Sequence, residues 1–134
     1  MNTKNASLDM IKKTARTHLR NLQAVSPEVR SCALISFDGL LIASFFAEGV
    51  NGDRFSAMCA SLLALSTQAA KEVGRGQLRQ IILDGEHGPV LLIRAGMVGV
   101  LMVAANSSTN LGKLILDTRS TATDLGAMHL QAVE

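Results

Sequence analysis

The chain has no tryptophan and no tyrosine, and its only aromatics are four phenylalanines. A base-stacking platform for single-stranded nucleic acid is therefore not expected. The formal net charge of +2 is also too small for the electrostatic footprint of a nucleic-acid binder. Cysteine is scarce. Cys32 and Cys59 both sit in apolar stretches and read as buried free thiols of a reducing compartment, although the spacing alone leaves a bridge between them open. No charged residue occurs from Phe55 to Ala70, yet that run is too short and too rich in Ser, Thr and Gln to span a membrane, so no membrane insertion is expected. The start, MNTKNASLDM, has no apolar core of the signal-peptide kind, which points to a cytoplasmic protein. Apolar residues make up 48% and charged residues 18%, a balance that excludes wholesale disorder. The 134 residues are expected to form one domain with a sufficient core of its own.

Catalytic patterns are missing as well. His18, His87 and His129 are scattered, and neither HExxH nor CxxC spacing occurs, so no metal site is expected. Ser36 and Ser66 lie in apolar runs without a GxSxG elbow. Gly74-Arg75-Gly76 reads as a helix stop, and no GxxxxGK[ST] phosphate cradle is present. Asp84 and Glu86 flank a hairpin tip and read as turn residues. The expectation is a protein without enzymatic activity and without a cofactor.

What is there is organised around residues 54–73, RFSAMCASLLALSTQAAKEV. Ala, Leu, Met and Gln favour helix, and no Gly or Pro interrupts the run. At 3.6 residues per turn, Phe55, Cys59, Leu62, Ser66 and Val73 share a stripe, widened by Met58, Leu63 and Ala69. That stripe is expected to face the core. The opposite face carries Ala57, Ala60, Ser61, Ala64, Thr67 and Gln68, with Lys71 only at its end. A helix neutral all round is usually covered on more than one side. The reading is that one face covers a sheet and the other meets a partner subunit.

The rest of the chain reads in order. Residues 1–6 are polar and expected to fray. Ser7 is a candidate N-cap, and Leu8, Ile11, Ala15, Leu19 and Leu22 then recur as an amphipathic stripe that ends before Pro27. The first 30 residues hold Lys4, Lys12, Lys13, Arg16, Arg20 and Arg30 against Asp9 and Glu28, which reads as a solvated helix face. Residues 31–37 and 40–46 are expected strands around Asp38-Gly39, a hairpin signal that calls for positive φ at both turn residues. Asn51 or Asp53 can cap the long helix, which stops at Gly74. Three more strands are expected at 77–84, 89–95 and 98–104, with Asn106, Ser107, Ser108 and Thr109 capping a last helix striped by Leu111, Leu114, Ile115, Ala122, Leu125 and Met128. Strands such as LLIASFF and VGVLMVA are apolar on both alternate sets, so both sheet faces must be covered. Three helices suffice: the long one on one face, the first and last on the other.

The order α-β-β-α-β-β-β-α, the segment ALISFDGLLIAS, the small-residue helix and the closing VGVLMVAANSSTNLGKL resemble the roadblock / dynein light chain family over about residues 8–130, nearest to its bacterial MglB-like members. The resemblance implies an α+β, profilin-like fold with a five-stranded antiparallel sheet of order 2-1-5-4-3. It implies a homodimer in which the long helix and third strand meet their mates, through Ala57, Ala60, Ser61, Ala64, Thr67, Gln68, Gln77, Arg79 and Ile81. It also implies a small Ras-like GTPase as partner, with Arg54, Lys71 and Arg75 as candidate contacts. A long charged extension like that of some MglB-like members is not seen after Leu130. Two other readings compete: a small-molecule sensor, which needs a cavity with convergent polar groups, and a scaffold subunit with no effect on nucleotide turnover. If the chain accelerates a GTPase, repositioning of the partner's own groups is expected, against the rival of an arginine finger from Arg54, Arg75 or Arg94.

Overall fold

The computed structural model describes residues 3–133, with side chains over residues 7–128. The elements are α1 (Thr3–Val25), β1 (Val29–Ile35), β2 (Leu41–Phe45), α2 (Gly52–Glu72), β3 (Gln80–Gly85), β4 (Gly88–Ala95), β5 (Gly99–Ala105) and α3 (Leu111–Val133). Every strand pair is antiparallel, and the sheet order is β2-β1-β5-β4-β3, as the resemblance implied.

Period-two alternation divides the central strands between two cores. Cys32 and Leu34 of β1, with Leu101 and Val103 of β5, pack against Leu19 and Leu22 of α1 and Leu114 and Leu125 of α3. Ala33, Ile35, Val100 and Met102 point the other way, onto Cys59 and Leu63 of α2. These strands therefore read as continuous apolar runs because both of their faces are covered. The helix layers are those expected, α2 on one face and α1 with α3 on the other. Cys32 and Cys59 lie on opposite faces of the sheet as free, buried thiols, so they do not bridge.

Local chemistry moves several boundaries. Helix α1 already runs from Thr3, so Ser7 lies inside it rather than capping it; residues 1 and 2 lie outside the described residues. Leu8 continues the apolar stripe but is exposed. The side chain of His129 also lies outside the described residues. The turn at Asp38-Gly39 is a three-residue loop. Ser36 N–H donates to Leu40 O (2.8 Å), Gly39 N–H donates to Ser36 O (2.9 Å), and only Gly39 has positive φ. One left-handed residue then closes the hairpin, and Asp38 keeps an ordinary backbone. The cap of α3 is Asn110, whose Oδ1 accepts from Lys113 N–H (3.0 Å), and not residues 106–109. Asn106 instead accepts from Ser108 N–H and Oγ.

Candidate interaction site

Helix α2 is built as a rigid, well-ended rod. Asn51 Oδ1 accepts from Arg54 N–H at 3.1 Å. At the other end Gly74 takes φ 70°, with Arg75 N–H on Ala70 O and Gly74 N–H on Lys71 O. That pair of bonds is the Schellman arrangement, which needs glycine at the left-handed position.

The face of α2 turned to the sheet differs from the expected one. Ser56, Cys59 and Leu63 are buried, with Phe55 and Leu62 beside them, while Met58 and Val73 are 57% and 66% exposed and Ala69 is exposed too. The helix is rolled so that Ser56 replaces Met58 at the sheet. Ser56 can be buried because its hydroxyl donates to Gly52 O at 2.7 Å, which satisfies the polar group inside the helix. Apolar counting alone placed Met58 inward.

The outward face is consequently more apolar than the sequence pattern indicated. Ala57, Ser61, Ala64 and Gln68 form an exposed row, as expected, and Met58 and Leu65 (67% exposed) extend it. Leu65 was missed because it fits neither the small-residue row nor the core stripe; an apolar residue outside both was the available signal. Ala60 and Thr67 lie half-buried on one flank, with Thr67 Oγ1 donating to Leu63 O at 2.7 Å. The flank also has an internal use. A Cβ on Gly39 would sit 3.2 Å from the Ala57 Cα and 3.3 Å from the Ala60 Cβ, so the β1–β2 turn lies against these two alanines.

The other expected interface residues divide. Gln77 and Arg79 are exposed but precede β3, which starts at Gln80. Ile81 packs half-buried against the α2-side core, so it is committed within the subunit. Gln80 accepts two bonds from Arg119, at 2.9 and 3.2 Å. β3 ends the sheet, one edge unpaired within the chain, and exposes Ile82 and Leu83, which the sequence reading did not single out. An apolar free edge of this kind invites pairing.

The three candidate GTPase contacts are not one cluster. Arg54 sits in the first turn of α2 and Lys71 in the last, 17 positions or about 25 Å apart along the helix axis. Arg75 follows the helix stop, its Nε donating to Val73 O at 3.2 Å. All three are exposed. The concave features among the described residues include two open grooves, one of about 290 Å³ between α1 and α3 beside His18 and Asp124, and one of about 510 Å³ between α3 and β4 over Ile93 and Ala122. Among the described residues no group of three or more His, Cys, Asp or Glu is placed to hold a metal ion. Burial pushes the Cys32 thiol up to about 12 and the Cys59 thiol up to about 11, so neither is a ready nucleophile. Among the described residues no helix is long and apolar enough to cross a membrane.

Comparison with known proteins agrees with this architecture. An uncharacterized protein of Methanocaldococcus jannaschii is 31% identical over 100 residues, 75% of this chain and 87% of that protein. The structure of Myxococcus xanthus MglB superposes with a TM-score of 0.84 at 18% identity, covering 92% of each chain. The chain described as LokiProfilin1 in complex with rabbit actin superposes with a TM-score of 0.62 at 14% identity, covering 87% of this chain and 96% of that one. At such identities these structures speak to the fold, which is profilin-like. The Roadblock/LC7 domain model matches residues 15–105, and the chain belongs to the Roadblock/LC7 family.

Proposed function

We propose that this chain is a cytoplasmic, non-enzymatic, homodimeric module, a single roadblock unit over about residues 8–130, that binds a small Ras-like GTPase and regulates it. The observation that carries this reading is the outward face of α2. From Phe55 to Ala70 it holds no charge, and it exposes Met58 and Leu65 beside Ala57, Ser61 and Ala64. Contiguous exposed apolar surface on a soluble domain marks an interaction site. A two-fold contact is self-complementary, so one such face can serve both subunits. The free, apolar edge of β3 supports a second point of contact between mates.

The GTPase enters through family membership and the likeness to MglB. Nucleotide chemistry is assigned to the partner, because this chain has no phosphate-cradle motif. The deciding experiment measures GTP hydrolysis by a purified Ras-like GTPase from the same genome, with and without this protein. Acceleration at stoichiometric amounts is expected. Binding without any change in hydrolysis or nucleotide exchange would leave a scaffold role, and absence of binding in both nucleotide states would remove the GTPase.

A further inference from the structure

Two exposed arginines lie over rings, Arg20 over Phe45 in the first helix layer and Arg94 over Phe37 at the turns. Arg94 near the end of β4 stacks over Phe37, its Cζ 5.1 Å from the ring centroid. The register explains the reach: Arg94 pairs with Val100, and Val100 pairs with Ile35, so the side chain crosses β5 to the turn that carries Phe37. The ion pair found among the described residues is Lys113–Asp117, elsewhere in the fold, so Arg94 has no carboxylate partner there. A guanidinium laid on an aromatic face keeps its fork of N–H donors and its charge available to a second molecule.

The surroundings are equally unusual. Leu40 and Met97, 68% and 77% exposed, occupy the two neighbouring turns, where polar residues are the norm. The turn bearing Phe37 and Leu40 lies against Ala57 and Ala60 through Gly39, so this surface is continuous with the uncharged face of α2. Gln80 pairs with Ile93, so Arg79 and Arg94 leave the β3–β4 ladder at the same end. The surface is apolar with a positive rim, and Asp38 is the acidic residue in its turns.

We propose that Phe37, Leu40, Arg94 and Met97 form the docking surface for an acidic, partly apolar face of the GTPase, with Arg94 taking one of its carboxylates. This rests on the GTPase reading and adds the place and the chemistry of contact. Nucleic acid fits poorly, since the one ring available for stacking is covered by Arg94. An anionic lipid surface also fits poorly, because Arg79 and Arg94 fall short of the roughly 4 to 8 clustered basic residues that mark such a site.

The test uses full-length protein, biolayer interferometry against the Ras-like GTPase in its GDP form and with a non-hydrolysable GTP analogue, and a salt series. Arg94→Glu is expected to weaken binding about tenfold or more and to flatten its salt dependence. Arg94→Lys restores part of the loss, because a point charge replaces the fork. Circular dichroism and light-scattering mass should stay as in wild type. If Arg94→Glu loses its fold, Met97→Asp takes its place with the same expectation. Unchanged affinity and salt slope in a folded variant, with wild type binding, overturn the docking surface and leave the GTPase reading standing. Wild type that binds neither nucleotide form overturns both. Binding to phosphatidylserine vesicles or duplex DNA that Arg94→Glu abolishes, while GTPase affinity holds, also overturns the proposal.

Discussion

Ser26 Oγ donates to Asp117 Oδ2 at 2.7 Å, fastening the chain just after α1 to the middle of α3. Lys113 Nζ reaches the same oxygen at 2.7 Å and donates to Val25 O at 2.8 Å. The lysine and then the serine hold the Asp117 carboxyl below its usual range. The unfolded chain therefore binds the proton more readily than the folded one. The resulting stability is fully present above the ordinary aspartate value of about 3.9 and is lost as pH falls through the lowered folded value. Asp117→Asn is expected to lose about 1 kcal/mol or less at neutral pH, because part of the contact is open to water and screened. Urea titrations at pH 7 and at successively more acid pH check this, and the gap between variant and wild type should shrink at the acid end.

Gly99 is a steric requirement of the sheet centre. A Cβ there would overlap the carbonyl oxygen of Ile35 on the adjacent strand. Gly99→Ala must push β5 away from β1 and disturb both cores, at about 2 kcal/mol or more. Thermal unfolding followed by circular dichroism should show a midpoint lower by about 8 °C or more.

The arginines offer a kinetic test. Arg54, Arg75 and Arg94 are exposed, and the expected mechanism is repositioning of the partner's own groups, so alanine at each is expected to leave stimulated hydrolysis well short of a finger's loss, which is roughly 10³ to 10⁵. Arg94→Ala should act on the concentration of module needed for half-maximal effect and leave the saturated rate in place. A loss of that size in saturated rate at one arginine, with binding intact, would show that the finger mechanism operates.

The topology was legible because buried strands and amphipathic helices impose different periods, and Gly39, Gly49, Gly74, Gly76 and Gly96 mark the connections between them. Details failed where two chemistries gave the same letters. Ser56 looked like a surface residue, yet its hydroxyl is satisfied by Gly52 O and the side chain is buried. Met58 looked like core, yet the roll of α2 turns it outward. Asp38-Gly39 signals a hairpin in either turn type, and the extra residue shows only in the bonds of Ser36. Of the expected interface, the row Ala57, Ser61, Ala64 and Gln68 is on one exposed face, whereas Ile81 points into the subunit's own core. A strand's alternation gives two faces but not which is covered at a sheet edge.

Ala64 lies in the exposed row of α2, between Ser61 and Gln68, with Leu65 beside it. In a two-fold contact along this row, Ala64 meets its mate or a near neighbour, so any side chain added there appears twice. Ala64→Glu would bring two like charges into a dry contact and add bulk where the helices approach. A buried charge without a partner costs several kcal/mol, enough to cancel a modest interface. Ser56, Cys59 and Leu63, which hold α2 to the sheet, are untouched, so the subunit keeps its helix content unless it is stable only as a dimer. Light-scattering mass with circular dichroism, on wild type and variant at tens of micromolar, a range matched to weak interfaces, reads both properties. The expected result is a dimeric wild type and a folded, monomeric Ala64→Glu. A monomeric wild type removes the dimer, and a variant that stays fully dimeric moves the contact from α2 to the free edge of β3, where Ile82 and Leu83 are exposed.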